Sequence, residues 1–165
     1  MCPMGCGTMP IMSELSIQLT WQREENELLP EQYNNAHRIT YNENHTLIGD
    51  RAPSWGGNIA YTNPEQALAA AVSSCQMMTF LALSAKAKWP VLSYEDHAIA
   101  YLGKNPDRKM AVIKLALQPK VTFDDGFAVD QDKLAVMHDR AHRYCFVANS
   151  LADYVEVVIT DQTVF

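Results

Sequence analysis

The sequence is short of positive charge: 13 Lys and Arg stand against 19 Asp and Glu, giving a formal net charge of −6 and a pI near 5.3. Binding to nucleic acid or to an anionic membrane surface draws on a broad basic face, and no basic tail or cluster supplies one. An export signal is also missing. Residues 1–12, MCPMGCGTMPIM, have neither the cationic start nor the unbroken apolar stretch that secretion needs, so the cytoplasm is the expected compartment. Structural disulfides are uncommon there. The four cysteines, Cys2, Cys6, Cys75 and Cys145, therefore read as buried, catalytic or metal-binding thiols. There is no CxxC pair, no internal repeat and no low-complexity tract.

What is present is the profile of one soluble globular domain: 165 residues, 48 % apolar and 19 % charged. Residues 1–12 carry no periodic pattern and are expected to form a flexible arm ahead of a single domain over 13–165. Ile17, Leu19 and Trp21 alternate with Gln18 and Thr20, the period-two pattern of a half-buried strand, and a second strand is predicted near Arg38–Tyr41. Residues 49–63, rich in Gly, Pro, Asn and Ser, read as a loop.

The longest element starts at Asn63, a capping residue followed by Pro64 at the first helical position, and stops at Trp89-Pro90. Residues 66–85 carry no charge, which on length alone would nominate a membrane span. Gln66, Ser73, Ser74, Gln76, Thr79 and Ser84 argue instead for a core helix. A helix of about 37 Å that is apolar on nearly all sides needs burial on nearly all sides, and a chain of this size is expected to need a partner subunit to cover one face. Strands follow near 93–102 and 110–123, joined through the turn residues 103–107 as an antiparallel hairpin. A helix opening at Asp130 and a final strand over 154–160 complete the chain. The order gives an α+β fold rather than a βαβ repeat.

Two thiols fall on these helices, Cys75 in the middle of the first and Cys145 at the end of the second. Free cysteine commonly serves as a small buried hydrophobe. Two helix-borne thiols can also form a redox pair, in which one attacks an oxidant and the other resolves the sulfenic acid as a disulfide. A mid-helix thiol gains little from the helix dipole, so ionising it calls for a cationic neighbour, best an arginine.

The segments NPEQALAAAVSSC and MTFLALSAK, with a later cysteine in CFVANS, resemble the OsmC/Ohr family of organic-hydroperoxide-reducing proteins, over roughly residues 15–160. TWQR, YNENHT and CFVANS resemble the corresponding segments of a less-studied branch. The resemblance implies an intertwined homodimer of highly curved antiparallel sheets around a long central helix, with active sites at the subunit interface. It implies Cys75 as the thiol that attacks a hydroperoxide, Cys145 as the resolving thiol, and Glu65 as the holder of an arginine beside Cys75. That arginine is expected to be Arg38, from a choice of Arg23, Arg38 and Arg51. A dithiol or lipoyl-type reductant would return the disulfide to thiols, with no cofactor. Two departures stand out: Glu43 within YNENHT, where like-charge repulsion would oppose a nearby thiolate, and Phe146 in place of a proline after the resolving cysteine.

Three other readings compete. Zinc could be held by Cys75, Cys145, His142 and His45. The soft ligands of CPMGC could take Cu(I). A dimer could bind a small apolar ligand between Trp55, Phe80, Tyr144 and Phe146, with Cys75 only lining the pocket.

Overall fold

The structure, a computed structural model, describes residues 14–164; the expected arm over 1–12, with Cys2 and Cys6, lies outside the described residues. The chain forms two compact units that divide between Thr62 and Asn63.

The first unit is an antiparallel three-stranded sheet of β1 (Gln18–Thr20), β2 (His37–Asn42) and β3 (His45–Gly49), in that order. The YNENHT segment is not one strand: it is the tip of the β2–β3 hairpin, with Glu43 and Asn44 in the turn and Asn42 Oδ1 accepting the Asn44 N–H. After β3, the Asp50 carboxylate accepts the N–H groups of Arg51 and Asn58 at 2.8 and 2.9 Å, which closes the Gly- and Pro-rich loop on itself. Ile17, Leu19, Tyr41, Leu47 and Ile59 are all exposed, and both clusters of buried apolar side chains lie in the other unit.

The second unit is organised by α1 (Pro64–Ala87). Asn63 Oδ1 accepts the Gln66 N–H at 2.9 Å, Pro64 takes the first turn, and Lys88 ends the helix in the left-handed region at φ 59°. The start and stop fall where the sequence places them. The expected strand over 93–102 is instead two, β4 (Val91–Asp96) and β5 (Ile99–Lys104), and that over 110–123 is β6 (Met110–Leu117) and β7 (Pro119–Phe123). The pairing register nonetheless runs through the break: Asp96 faces Pro119 and Ile99 faces Ala116. Pro119 has no N–H to continue the ladder, while the Asp96 carboxylate accepts the Gln118 N–H and the Ser73 hydroxyl, drawing the gap onto α1. One long hairpin thus becomes two sheets wrapped about one helix.

Helix α2 (Gln131–Tyr144) opens at Asp130, whose Oδ1 accepts the Asp132 N–H, and β8 (Glu156–Ile159) returns parallel to β6. The α+β reading holds, and among the described strands β6–β8 is the one parallel pair, with an isolated parallel bridge between Gly49 and Thr62. The first half of α1 packs Ala69 and Val72 with Leu115 and Leu117 of β6. Its second half packs Phe80 with Val121, Leu134, Met137 and Ala141. Helix α1 is long and apolar enough to cross a membrane by composition alone, yet it buries Gln76 and Ser84 along with Val72 and Phe80. It is not covered all round: Ala70, Ala71, Ser74, Met78, Leu81, Ala82 and Ala85 form an open, mostly apolar face.

A buried imidazole also interrupts the apolar core. His138 stacks on Phe80 at 4.4 Å between ring centroids and lies 3.7 Å from the Asp161 carboxylate, with neither ring nitrogen hydrogen-bonded. Burial holds its imidazole pKa below the ordinary value, against the opposing pull of Asp161 and Asp96. The unfolded chain therefore takes up a proton near pH 6.5 that the folded chain refuses, so stability falls as pH drops below that value. The thermal midpoint is expected to decline between pH 7 and pH 5, and His138→Gln to flatten the decline. An equally steep decline in the variant would remove His138 as its source.

Candidate active site

Cys75 and Cys145 are both free and both buried. Cys75 sits near the middle of α1, its carbonyl taken by the Thr79 hydroxyl at 2.9 Å. Cys145 is the residue at which α2 stops. Its N–H still reaches the His142 carbonyl, but its backbone is extended, at φ −74° and ψ 111°. The CFVANS segment explains the local geometry: Asn149 Nδ2 donates to the Arg143 carbonyl at 3.1 Å, the Ser150 hydroxyl donates to the Phe146 carbonyl at 2.9 Å, and residues 148–150 form a 3-10 turn. That turn aims the Ala148 N–H at Cys145 Sγ, 3.3 Å away. The motif is a mount for a sulfur atom.

The mount sets the Cys145 thiol beside Cys75, near enough for the two groups to feel each other's charge. Burial, followed by the proximity of Cys75, pushes the Cys145 thiol up to about 11, with the Ala148 N–H pulling the other way. Cys145 therefore rests as a neutral thiol at physiological pH, poised to give up its proton only when its sulfur forms a bond. Beside the pair, Cys75, Met78, Tyr144 and Phe146 line a groove of about 640 Å³, with Lys86 and Arg140 also in its walls.

The other expected residues divide between the units. Glu65 lies in the first turn of α1, and its Oε2 is buried without a hydrogen-bond partner, an acid in want of a cation. Arg38 belongs to the first unit. It pairs across β2 with Thr20 and Ile48, lines a cleft of about 390 Å³ with Trp21 and His37, and makes no ion pair among the described residues. Arg23 follows β1, and Arg51 sits in the loop closed by Asp50. Glu43 is exposed in its turn.

The zinc reading finds no geometry, because no three metal-ligating side chains gather among the described residues. Of the four suggested walls for an apolar ligand, Tyr144 and Phe146 do line the groove beside Cys75, and Phe80 does not. Phe80 is wholly buried against His138 and Tyr94, while Trp55 is exposed in the first unit. The sequence reading gave Gln76 no role beyond marking a core helix and passed over His138, Tyr94 and Asp161; all four have buried polar atoms without partners. A glutamine inside an uncharged helical run was their one available signal.

These features define an α+β protein with a helix-borne thiol pair. The family described as OsmC-like protein matches residues 56–160. The chain belongs to that family. A solved OsmC-like protein from Vibrio cholerae, itself described as of unknown function, is 36 % identical with a TM-score of 0.81, over 90 % of this chain and 99 % of that one. An organic hydroperoxide resistance protein-like 2 from Staphylococcus saprophyticus is 28 % identical over 122 residues, 72 % of this chain and 82 % of the relative. An organic hydroperoxide resistance protein from Elizabethkingia anophelis shares the fold at a TM-score of 0.70 and 17 % identity, over 93 % of this chain and 100 % of that one.

Proposed function

We propose that this protein reduces organic hydroperoxides with its two interior cysteines and serves in defence against peroxide stress. The observation that carries the reading is the pair of free, buried, neighbouring thiols, of which Cys75 lines an apolar groove. The Staphylococcus relative, named for hydroperoxide resistance, supports the choice of substrate.

In the first step the Cys75 thiolate attacks the terminal oxygen of ROOH. The O–O bond breaks, the sulfur becomes a sulfenic acid, and the alkoxide leaves with a proton as ROH. In the second, Cys145 attacks that sulfur, its thiol proton leaves with the hydroxide as water, and a disulfide remains. An external dithiol, of which lipoyl groups are the favoured example, then exchanges with the disulfide and is itself oxidised. In this scheme Glu65 holds Arg38 where its guanidinium stabilises the Cys75 thiolate. The cytoplasm, which keeps resting thiols reduced, is the fitting compartment.

The working unit is a homodimer. The open face of α1 and the uncovered apolar side chains of the first unit's sheet both call for a partner surface, and a second copy offers the same surfaces in return. Sedimentation should give a dimer, and Met78→Glu on the open face should shift it toward monomer; a monomeric parent chain would contradict this. The activity itself is tested by following loss of an alkyl hydroperoxide with a dithiol present: turnover that needs both supports the reading, and none refutes it.

A further inference from the structure

We propose that Gln76 is a positioning residue that holds Cys75 and Cys145 in bonding register by clamping α1 to α2. The inference rests on the thiol pair described above and extends it to a residue that touches neither substrate nor sulfur. Gln76 follows Cys75 directly, is 1 % exposed, and donates from Nε2 to the His138 backbone carbonyl at 3.0 Å. This side-chain hydrogen bond joins the two helices directly.

Packing alone does not call for an amide there. The neighbouring cluster is Phe80, Leu134, Met137 and Ala141, and a leucine or methionine would fill the volume without leaving Oε1 buried and unpartnered. A hydrogen bond offers direction where dispersion offers none. It fixes the axial position and rotation of α2 at His138, and Cys145 lies seven residues on, two turns along the same face. The His138 ring adds a second contact to the same helix, stacked on Phe80 one turn beyond Gln76, and is set against Asp161. The clamp thus reaches the second sulfur through two rigid helical turns and the first through one peptide bond. Disulfide closure demands narrow geometry, and a displacement of about 1 Å can cost on the order of a hundredfold in an intramolecular step.

The test separates this claim from the peroxidase reading. The full-length reduced protein is equilibrated with graded ratios of reduced and oxidised dithiothreitol, and the fraction holding a Cys75–Cys145 disulfide is read by mass spectrometry. Gln76→Met and Gln76→Asn are each expected to lower the disulfide-forming equilibrium about tenfold, or about 30 mV. Val121→Ala loosens the same core without touching the clamp and should stay within about twofold of the parent. After one hydroperoxide addition, the Gln76 variants should oxidise Cys75 at the parent rate yet carry more of it on to sulfinic acid. A folded Gln76 variant with the parent's equilibrium overturns the clamp, as does a parent chain that forms no disulfide in the redox buffer. A parent that closes the disulfide there but ignores hydroperoxide refutes the proposed function and leaves the clamp standing.

Discussion

Cys75→Ser should abolish hydroperoxide consumption, and Cys145→Ser should leave the first oxidation intact while blocking its completion. The asymmetry follows from the chemistry of the two positions. A serine hydroxyl at 75 is not a nucleophile toward an O–O bond, so the loss should reach the background rate, at least about a thousandfold. At 145 the missing group is the one that converts the sulfenic acid to a disulfide, so Cys75 keeps its first rapid reaction and then gains further oxygens. The raised pKa of Cys145 fits this division, because a thiol held neutral by burial is a poor first attacker and an adequate intramolecular one. A rapid single-turnover oxidation, followed by mass spectrometry of each variant, reads both halves. Peroxide loss that survives in Cys75→Ser would place the chemistry elsewhere.

Removing the cation should be the next largest effect. Arg38→Met is expected to slow Cys75 oxidation at pH 7 by one to two powers of ten, since an unpaired buried thiolate is the costlier state. Glu65→Gln should reproduce part of the loss, because Glu65 Oε2 is buried with nothing to neutralise it except the arginine it is proposed to hold. Arg23→Met and Arg51→Met should fall within about twofold of the parent. A single-turnover rate for the first oxidation decides the matter: an undiminished rate in Arg38→Met would transfer the role to another group.

The local chemistry of the sequence was a good guide wherever a residue's own properties fix its conformation. Asn63 and Pro64 mark the start of α1, and Asp130 marks that of α2, since caps act within a few residues. The alternation along β6 likewise survives in a hairpin, though its turn falls at 105–109 rather than 103–107, with Gly103 and Lys104 still paired in β5. What alternation does not reveal is where a long hairpin breaks, because the break depends on Asp96 meeting Gln118 and Ser73 from distant parts of the chain. The strand predicted near Arg38–Tyr41 ends within YNENHT because Asn42 and Asn44 are turn residues, and the hairpin tip uses them.

The site was legible in the same uneven way. Spacing alone left Cys75 and Cys145 as two thiols seventy residues apart, and the motif resemblance supplied the expectation that they meet. The fold supplies the reason, by ending α2 at Cys145 and stapling the next turn with Asn149 and Ser150. Gln76 and His138 were silent because a buried amide and a buried imidazole look, in sequence, like any polar residue on a helix. Only their partners, 62 residues apart, give them meaning.

The central claim is that two buried sulfurs exchange electrons with a hydroperoxide by bonding to each other. One equivalent of an alkyl hydroperoxide added to the fully reduced protein, followed by intact-mass and peptide analysis, addresses it directly. The account predicts a loss of about two hydrogens and a single linked peptide pair joining Cys75 to Cys145. An unchanged mass, or oxygen added to Cys75 with Cys145 left as a free thiol, would contradict it.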